Sequence, residues 1–152
     1  MSFTSENSNA YRITNFTQTN PAVQVIFYPT TNYHTDREDN PNRKSSFLDK
    51  FQELVEAYYQ DDCFRAKQLA DMMNMSETQL FRRLKALTNQ GFSSYLRLYR
   101  LQKAKDLIET YDDLNISEIA YEVGFNDPNY FSRAFSEAFG QTPSSLRRAT
   151  FY

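Results

Sequence analysis

Two arginines 51 residues apart, Arg82 and Arg133, each follow a pair of recognition-type side chains at minus four and minus one: Thr78 and Phe81, then Asn129 and Ser132. A guanidinium offers a fork of donors to two acceptors at once. A carboxamide both donates and accepts, a hydroxyl does either, and a phenyl ring gives apolar contact. Such sets recognise a partner and make no covalent bond. Residues suited to bond-making are sparse: His34 is the only histidine, and Cys63, the only cysteine, follows two acids that raise a thiol pKa. Gly91, Gly124 and Gly140, the only glycines, read as turn residues and not as a loop that cradles phosphate. The expectation is therefore no enzyme, no metal and no cofactor.

The elements that would hold these sets are marked by their breaks. Ile116, Ile119, Ala120 and Val123 recur at helical spacing, with Asn115 or Ser117 as cap and Gly124 as stop. Asp127 and Pro128 open the next helix as N-cap and first helical residue. Its apolar face is Phe131, Ala134, Phe135, Ala138 and Phe139, which leaves Asn129, Ser132 and Arg133 outward. Gly140 and Pro143 close it, and Ser144 to Arg148 reads as a further short helical turn. Two short helices about a glycine turn make a helix-turn-helix.

The same unit occurs upstream. Ala70, Met73, Asn74 and Met75 match Ala120, Val123, Gly124 and Phe125 at an offset of 50. After one inserted residue, Ser76, Leu80, Arg82, Leu84, Asn89 and Gln90 match Asp127, Phe131, Arg133, Phe135, Gly140 and Gln141 at an offset of 51. Caps fall on caps and core falls on core. Between the copies a helix starting at Ser93 or Ser94 and running through Thr110 presents Leu98, Leu101, Ala104 and Ile108 to both. Ahead of them Phe47, Leu48, Phe51, Leu54, Val55 and Tyr58 mark a helix capped by Ser45 or Ser46. The expected fold is all-α: two helix-turn-helix subdomains, at about 64–88 and 116–140, joined by a long central helix at about 93–110, within a domain spanning 46–152.

Residues 1–45 differ in composition, being rich in Ser, Thr and Asn with Pro21, Pro29 and Pro41 interspersed. Two β-prone runs, 11–16 and 23–28, flank Thr-Asn-Pro and suggest a hairpin, an arrangement that is marginal alone in water. Residues 36–44 read as linker, and His34 as a surface residue. No signal segment or membrane-length apolar run is present, and a single cysteine fits a reducing cytoplasm.

The net charge of −2 at first disfavours a polyanionic partner. Its distribution says otherwise. From Thr78 to Lys105 stand Arg82, Arg83, Lys85, Arg97, Arg100, Lys103 and Lys105 with no acid; from Asp106 to Glu122 stand six acids with no base. A helix-turn-helix suits duplex DNA because its second helix fits the major groove, where base edges are distinguishable, and reads with its N-terminal part. A central helix of about 26 Å would set two such helices roughly one DNA turn apart, so one subunit could read an asymmetric site as a monomer.

From Gly124 the residues Gly-Phe, Tyr-Phe-Ser-Arg, a Phe one turn on, Gly, Thr-Pro and Arg resemble the second helix-turn-helix of AraC/XylS-type bacterial transcription regulators. That resemblance implies promoter or operator DNA as partner, with RNA polymerase, and no membrane. It also assigns base reading to Thr78, Phe81, Arg82, Asn129, Ser132 and Arg133. Arg82 and Arg133 suit guanine O6 and N7, Asn129 adenine, and Phe81 a thymine methyl. Phosphate contacts are expected from Ser76, Lys85, Arg97, Arg100, Lys103, Arg147 and Arg148, with helix-start N–H groups near Ser76 and Asp127. Ser136 and Glu137 stand where relatives commonly carry bases, and Glu77, Asp127 and Pro128 offer phosphate no donor. Both departures imply a weaker or more salt-sensitive grip. The ligand-sensing β-barrel of many relatives would not fit in 45 residues, which leaves a stand-alone regulator or a piece of a larger one. The rival reading is a helical interaction module that keeps the fold without specific DNA binding, favoured by the acidic balance and Glu137.

Overall fold

The computed structural model describes residues 41–152. The expected hairpin, His34 and most of the 1–45 segment lie outside the described residues. Seven α-helices follow in order: α1 Pro41–Tyr58, α2 Ala66–Met72, α3 Glu77–Thr88, α4 Phe92–Thr110, α5 Ile116–Glu122, α6 Pro128–Phe139 and α7 Pro143–Phe151. Three boundaries differ from expectation. Helix α1 starts at Pro41, inside the presumed linker, because proline at a first helical position loses only a donor that would be unpaired. Gly91 caps α4, so Phe92 opens it ahead of the two serines. Helix α7 runs on to Phe151, three residues past Arg148.

The duplicated stop signals have duplicated geometry. Asn74 and Gly124 both adopt a left-handed conformation, with φ of 53° and 92°. At each, the N–H two residues past the C-cap (Met73 or Val123) reaches back across the turn: Met75 N to Ala70 O at 3.0 Å, and Phe125 N to Ala120 O at 2.9 Å. That is the Schellman closure of a helix C-terminus. Asn89 and Gly140 repeat the left-handed stop at the ends of α3 and α6. The starts are equally defined. Ser76 Oγ accepts from Gln79 N while Gln79 Oε1 accepts from Ser76 N, a reciprocal capping box, and Asn115 and Glu118 form another at α5. Asp127 caps α6 through Asn129 N at 2.8 Å.

Two cores form, one per copy. The first gathers Phe47, Phe51 and Val55 of α1, Leu69 and Ala70 of α2, Leu80 and Leu84 of α3, and Phe92, Tyr95 and Leu96 of α4. Phe64, in the α1–α2 turn, is also buried there; its ring meets Phe92 edge-on at 5.2 Å. Lying between breaks, Phe64 belongs to no periodic stripe. The second core joins Leu101, Ala104 and Ile108 of α4 to Ile119, Ala120, Val123, Phe125, Phe131, Phe135 and Leu146. Burying each such large apolar side chain is worth about 1.5–3 kcal/mol. Helix α4, about 28 Å long at 1.5 Å per residue, gives its first half to one core and its second half to the other.

Candidate nucleic-acid interface

On α3, burial of Leu80 and Leu84 turns Thr78, Phe81, Arg82 and Lys85 to solvent, the outer i, i+3, i+4, i+7 row. On α6, burial of Phe131, Ala134 and Phe135 leaves Asn129 and Arg133 exposed and Ser132 half-buried at the corresponding places. The structure thus sets each expected trio on the outer face of a capped helix. Among the described residues neither Arg82 nor Arg133 has a hydrogen-bond or ion-pair partner. Phe81 is 55% exposed, a large apolar ring standing in water beside a hollow lined by Ala66, Glu77, Thr78, Leu80 and Phe92.

The cations expected at phosphates divide into two groups. Lys85 is exposed, its Nζ donating to Asn89 O at 3.0 Å and so closing the end of α3. Arg97 is half-buried on α4 and Arg148 is exposed on α7. Ser76 spends its hydroxyl and its own N–H on the capping box, so the N–H groups left at the start of α3 come from the residues after it.

Arg100 and Lys103 are corrections. Arg100 is buried, at 9% exposure, and its Nε and Nη2 each donate over 2.7 Å, to Tyr59 O and Asp61 O. Burial, with Arg65 nearby, lowers its pKa from the usual arginine value despite Asp62 and Asp61. Lys103 pairs with Glu56 at 3.1 Å and lies over the rings of Tyr59 and Tyr99 at 5.6 and 5.4 Å. Position on α4 explains both: a helix packed on two cores turns part of its polar face toward α1. Arg147 is half-buried, with Nε and Nη2 enclosed and lacking a hydrogen-bond partner among the described residues.

Two further basic residues of the 78–105 run are committed to aromatic rings. Arg83 stacks over Phe47 at 5.3 Å, and Lys105 over Phe139 at 5.5 Å. The run of positive charge in the sequence is therefore thinner at the surface than a residue count suggests. Cys63 is exposed beside Asp61 and Asp62, and the hydrogen bond and charge of Asp62 push its thiol pKa up, away from thiolate chemistry. Among the described residues no helix is long and apolar enough to cross a membrane.

What sequence reading passed over is the joint between the copies. Gly124 is buried, and a Cβ there would come within 2.5 Å of Tyr59 O and 2.9 Å of Arg100 Nε. One signal was available: the first copy manages with Asn74 where the second carries glycine, so something beyond a left-handed turn was being asked of position 124.

A helix-turn-helix domain model matches residues 69–149. Over 100 residues, 66% of this chain, the sequence is 37% identical to Histidine kinase P4 of Formosa agariphila, of which it spans 7%. Over 83 residues, 55% of this chain, it is 40% identical to the HTH-type transcriptional activator RhaS of Pectobacterium atrosepticum, of which it spans 29%. The chain thus covers well under half the length of these curated relatives. Among solved structures, the DNA-binding domain of AdpA, described as a global transcriptional factor in complex with a target DNA, superposes with a TM-score of 0.62 at 26% identity. That likeness covers 67% of this chain and 90% of AdpA's.

Proposed function

Because the chain belongs to the AraC/XylS-type family of helix-turn-helix regulators, we propose that it binds double-stranded DNA sequence-specifically and regulates transcription, with α3 and α6 entering adjacent major-groove segments. The observation that carries the reading is the matched pair of outward, unengaged guanidiniums, Arg82 and Arg133, at the same place in two helices that each open on a side-chain cap. Each can bond guanine O6 and N7 together, with Asn129 suited to adenine, Phe81 to a thymine methyl, and Thr78 and Ser132 to either base edge. Lys85, Arg97 and Arg148 are the cations proposed to fix register on phosphates. RNA polymerase is the partner proposed alongside promoter DNA, and the cytoplasm the compartment. Residues 46–152 are proposed as the DNA-binding unit, with residues 1–45 as its extension.

Selection of bound sequences from a random duplex pool tests this. The expected outcome is one asymmetric consensus with two blocks about a helical turn apart, recovered by a monomer. Affinity should fall linearly in log–log terms with salt, at a slope of about −3 if three cations neutralise phosphate. A pool that enriches no sequence would sink the proposal.

A further inference from the structure

The two copies are joined by more than a shared helix. Arg100 lies in α4 between the residues given to the first core, ending at Leu96, and those given to the second, beginning at Leu101. Its guanidinium holds two carbonyls from the C-terminal end of α1, Tyr59 O and Asp61 O, at 2.7 Å each. Carbonyls at a helix C-terminus carry partial negative charge, which a fixed cation complements; Asp61 O accepts from Phe64 N at 3.1 Å as well. From the other side the α5–α6 turn closes on the same spot, since only the missing side chain of Gly124 lets that turn approach Tyr59 O and Arg100 Nε. Tyr59 packs against both cores, and Gln60 Nε2 donates to Glu122 Oε1 at 2.8 Å across the same seam. Three chain segments, one from each copy and one from the connecting helix, therefore meet on one buried guanidinium.

We infer that Arg100 is a positioning residue for DNA reading: by clasping the end of α1 against the Gly124 turn it fixes the relation of α3 to α6, and so the spacing of base pairs the protein accepts between its two half-sites. Resting α4 on two separate cores would by itself leave the copies able to rock about the middle of that helix. The clasp removes this freedom, and a planar fork does so better than an ammonium, which offers no second parallel bond. Arg100 touches no base, so its effect falls on the separation of the blocks and not on the identity of the bases within them. The inference rests on the DNA-binding reading for its consequence, but its geometry can be tested without DNA.

Two measurements on the full chain decide it. In a Cys63→Ser background, spin labels on Ala86→Cys and Glu137→Cys, exposed positions of α3 and α6, report the distance between the helices. A single narrow distribution is expected with Arg100, and a clearly broadened one in Arg100→Met; an unchanged distribution overturns the inference whatever the protein does with DNA. The second measurement uses the duplex recovered by selection and versions with one base pair added or removed between the blocks, a step of about 3.4 Å. The parent should discriminate against the altered spacings, and Arg100→Met should lose about tenfold of that discrimination, the scale of one mismatched base pair, at unchanged affinity for a single block. A merely structural residue would instead weaken all spacings alike, which counts against the proposal. Should Arg100→Met not hold its helical circular dichroism, Arg100→Lys, which keeps the charge and loses the fork, is read in its place. If the parent binds no duplex, the functional reading fails while the distance measurement still stands.

Discussion

The two copies close their helices in the same way and are supported differently. The first turn, at Asn74, is exposed, and the helices on either side of it rest on an aromatic platform made by α1, Phe64 and Phe92. The second turn, at Gly124, is buried in the seam, and its copy rests on its own phenylalanines with Leu146 of α7. Equal backbone closure with unequal surroundings means that corresponding positions should not answer alike to the same change. Local signals determine where each helix stops, while the load on each stop depends on what lies across the chain from it.

The sharpest way to break that comparison is to place alanine at each turn. Gly124→Ala must adopt a φ of 92° and push Tyr59 O away from a 2.5 Å approach, so it should lose on the order of 3–5 kcal/mol of unfolding free energy. Asn74→Ala faces solvent and should lose about 1 kcal/mol. Urea titration of each variant measures both, and equal losses would show that the seam does not bear on the turn.

Alkaline pH should separate the cores next. Burial pushes the Tyr95 hydroxyl pKa up to about 12, whereas the second core buries no tyrosine. A raised folded-state pKa means the contribution is whole below pH of about 10, the unfolded value, and is lost as pH climbs toward 12. About 2–3 kcal/mol should disappear across that window, and Tyr95→Phe should flatten the loss. Denaturant midpoints at pH 9 and pH 11 for parent and variant check the sign, with about half of that loss, roughly 1.4 kcal/mol, expected by pH 11.

Much of this was legible in the residue order. The left-handed stops at 74 and 124, the capping residues Ser76, Asn115 and Asp127, and the inward leucines and phenylalanines of α3 and α6 depend on neighbours within one or two turns, and a linear string records such neighbours. The outward places of Thr78, Phe81, Arg82, Asn129 and Arg133 follow from the same periodicity. Arg100 and Lys103 could not be read in this way. Their outward register on α4 is that of a phosphate ligand until α1, some 40 residues earlier in the chain, is laid beside them. Phe64 was missed for the related reason that a single aromatic in a turn has no period to betray it. The second copy's glycine held a clue to the seam, visible only by asking why two equivalent turns used different residues.

The bases that each copy is proposed to read give a third test. Arg82→Ala should cost about 1–3 kcal/mol of affinity and relax preference in one block of the site, and Arg133→Ala should do the same in the other block only. Competition binding with singly substituted duplexes assigns each loss to its block. If either variant relaxes both blocks, or neither, then the two copies do not read independently.

The smallest expected effect sharpens the comparison at the helix starts. Helix α3, the first proposed to read bases, begins with a neutral Ser76 in a reciprocal box, and α6, the second, with the carboxylate of Asp127. A negative cap favours the helix dipole and disfavours a nearby phosphate, each by about 0.3–1 kcal/mol at an exposed site. Asp127→Asn keeps a competent cap, so it should lower stability slightly while raising DNA affinity by less than about fivefold. Ser76→Asp should shift both quantities the opposite way. Both affinity changes should shrink as salt shortens the reach of exposed charges. Paired titrations at low and high salt read this directly. If Asp127→Asn leaves affinity unchanged at low salt, the start of α6 lies too far from any phosphate for the charge of its cap to matter.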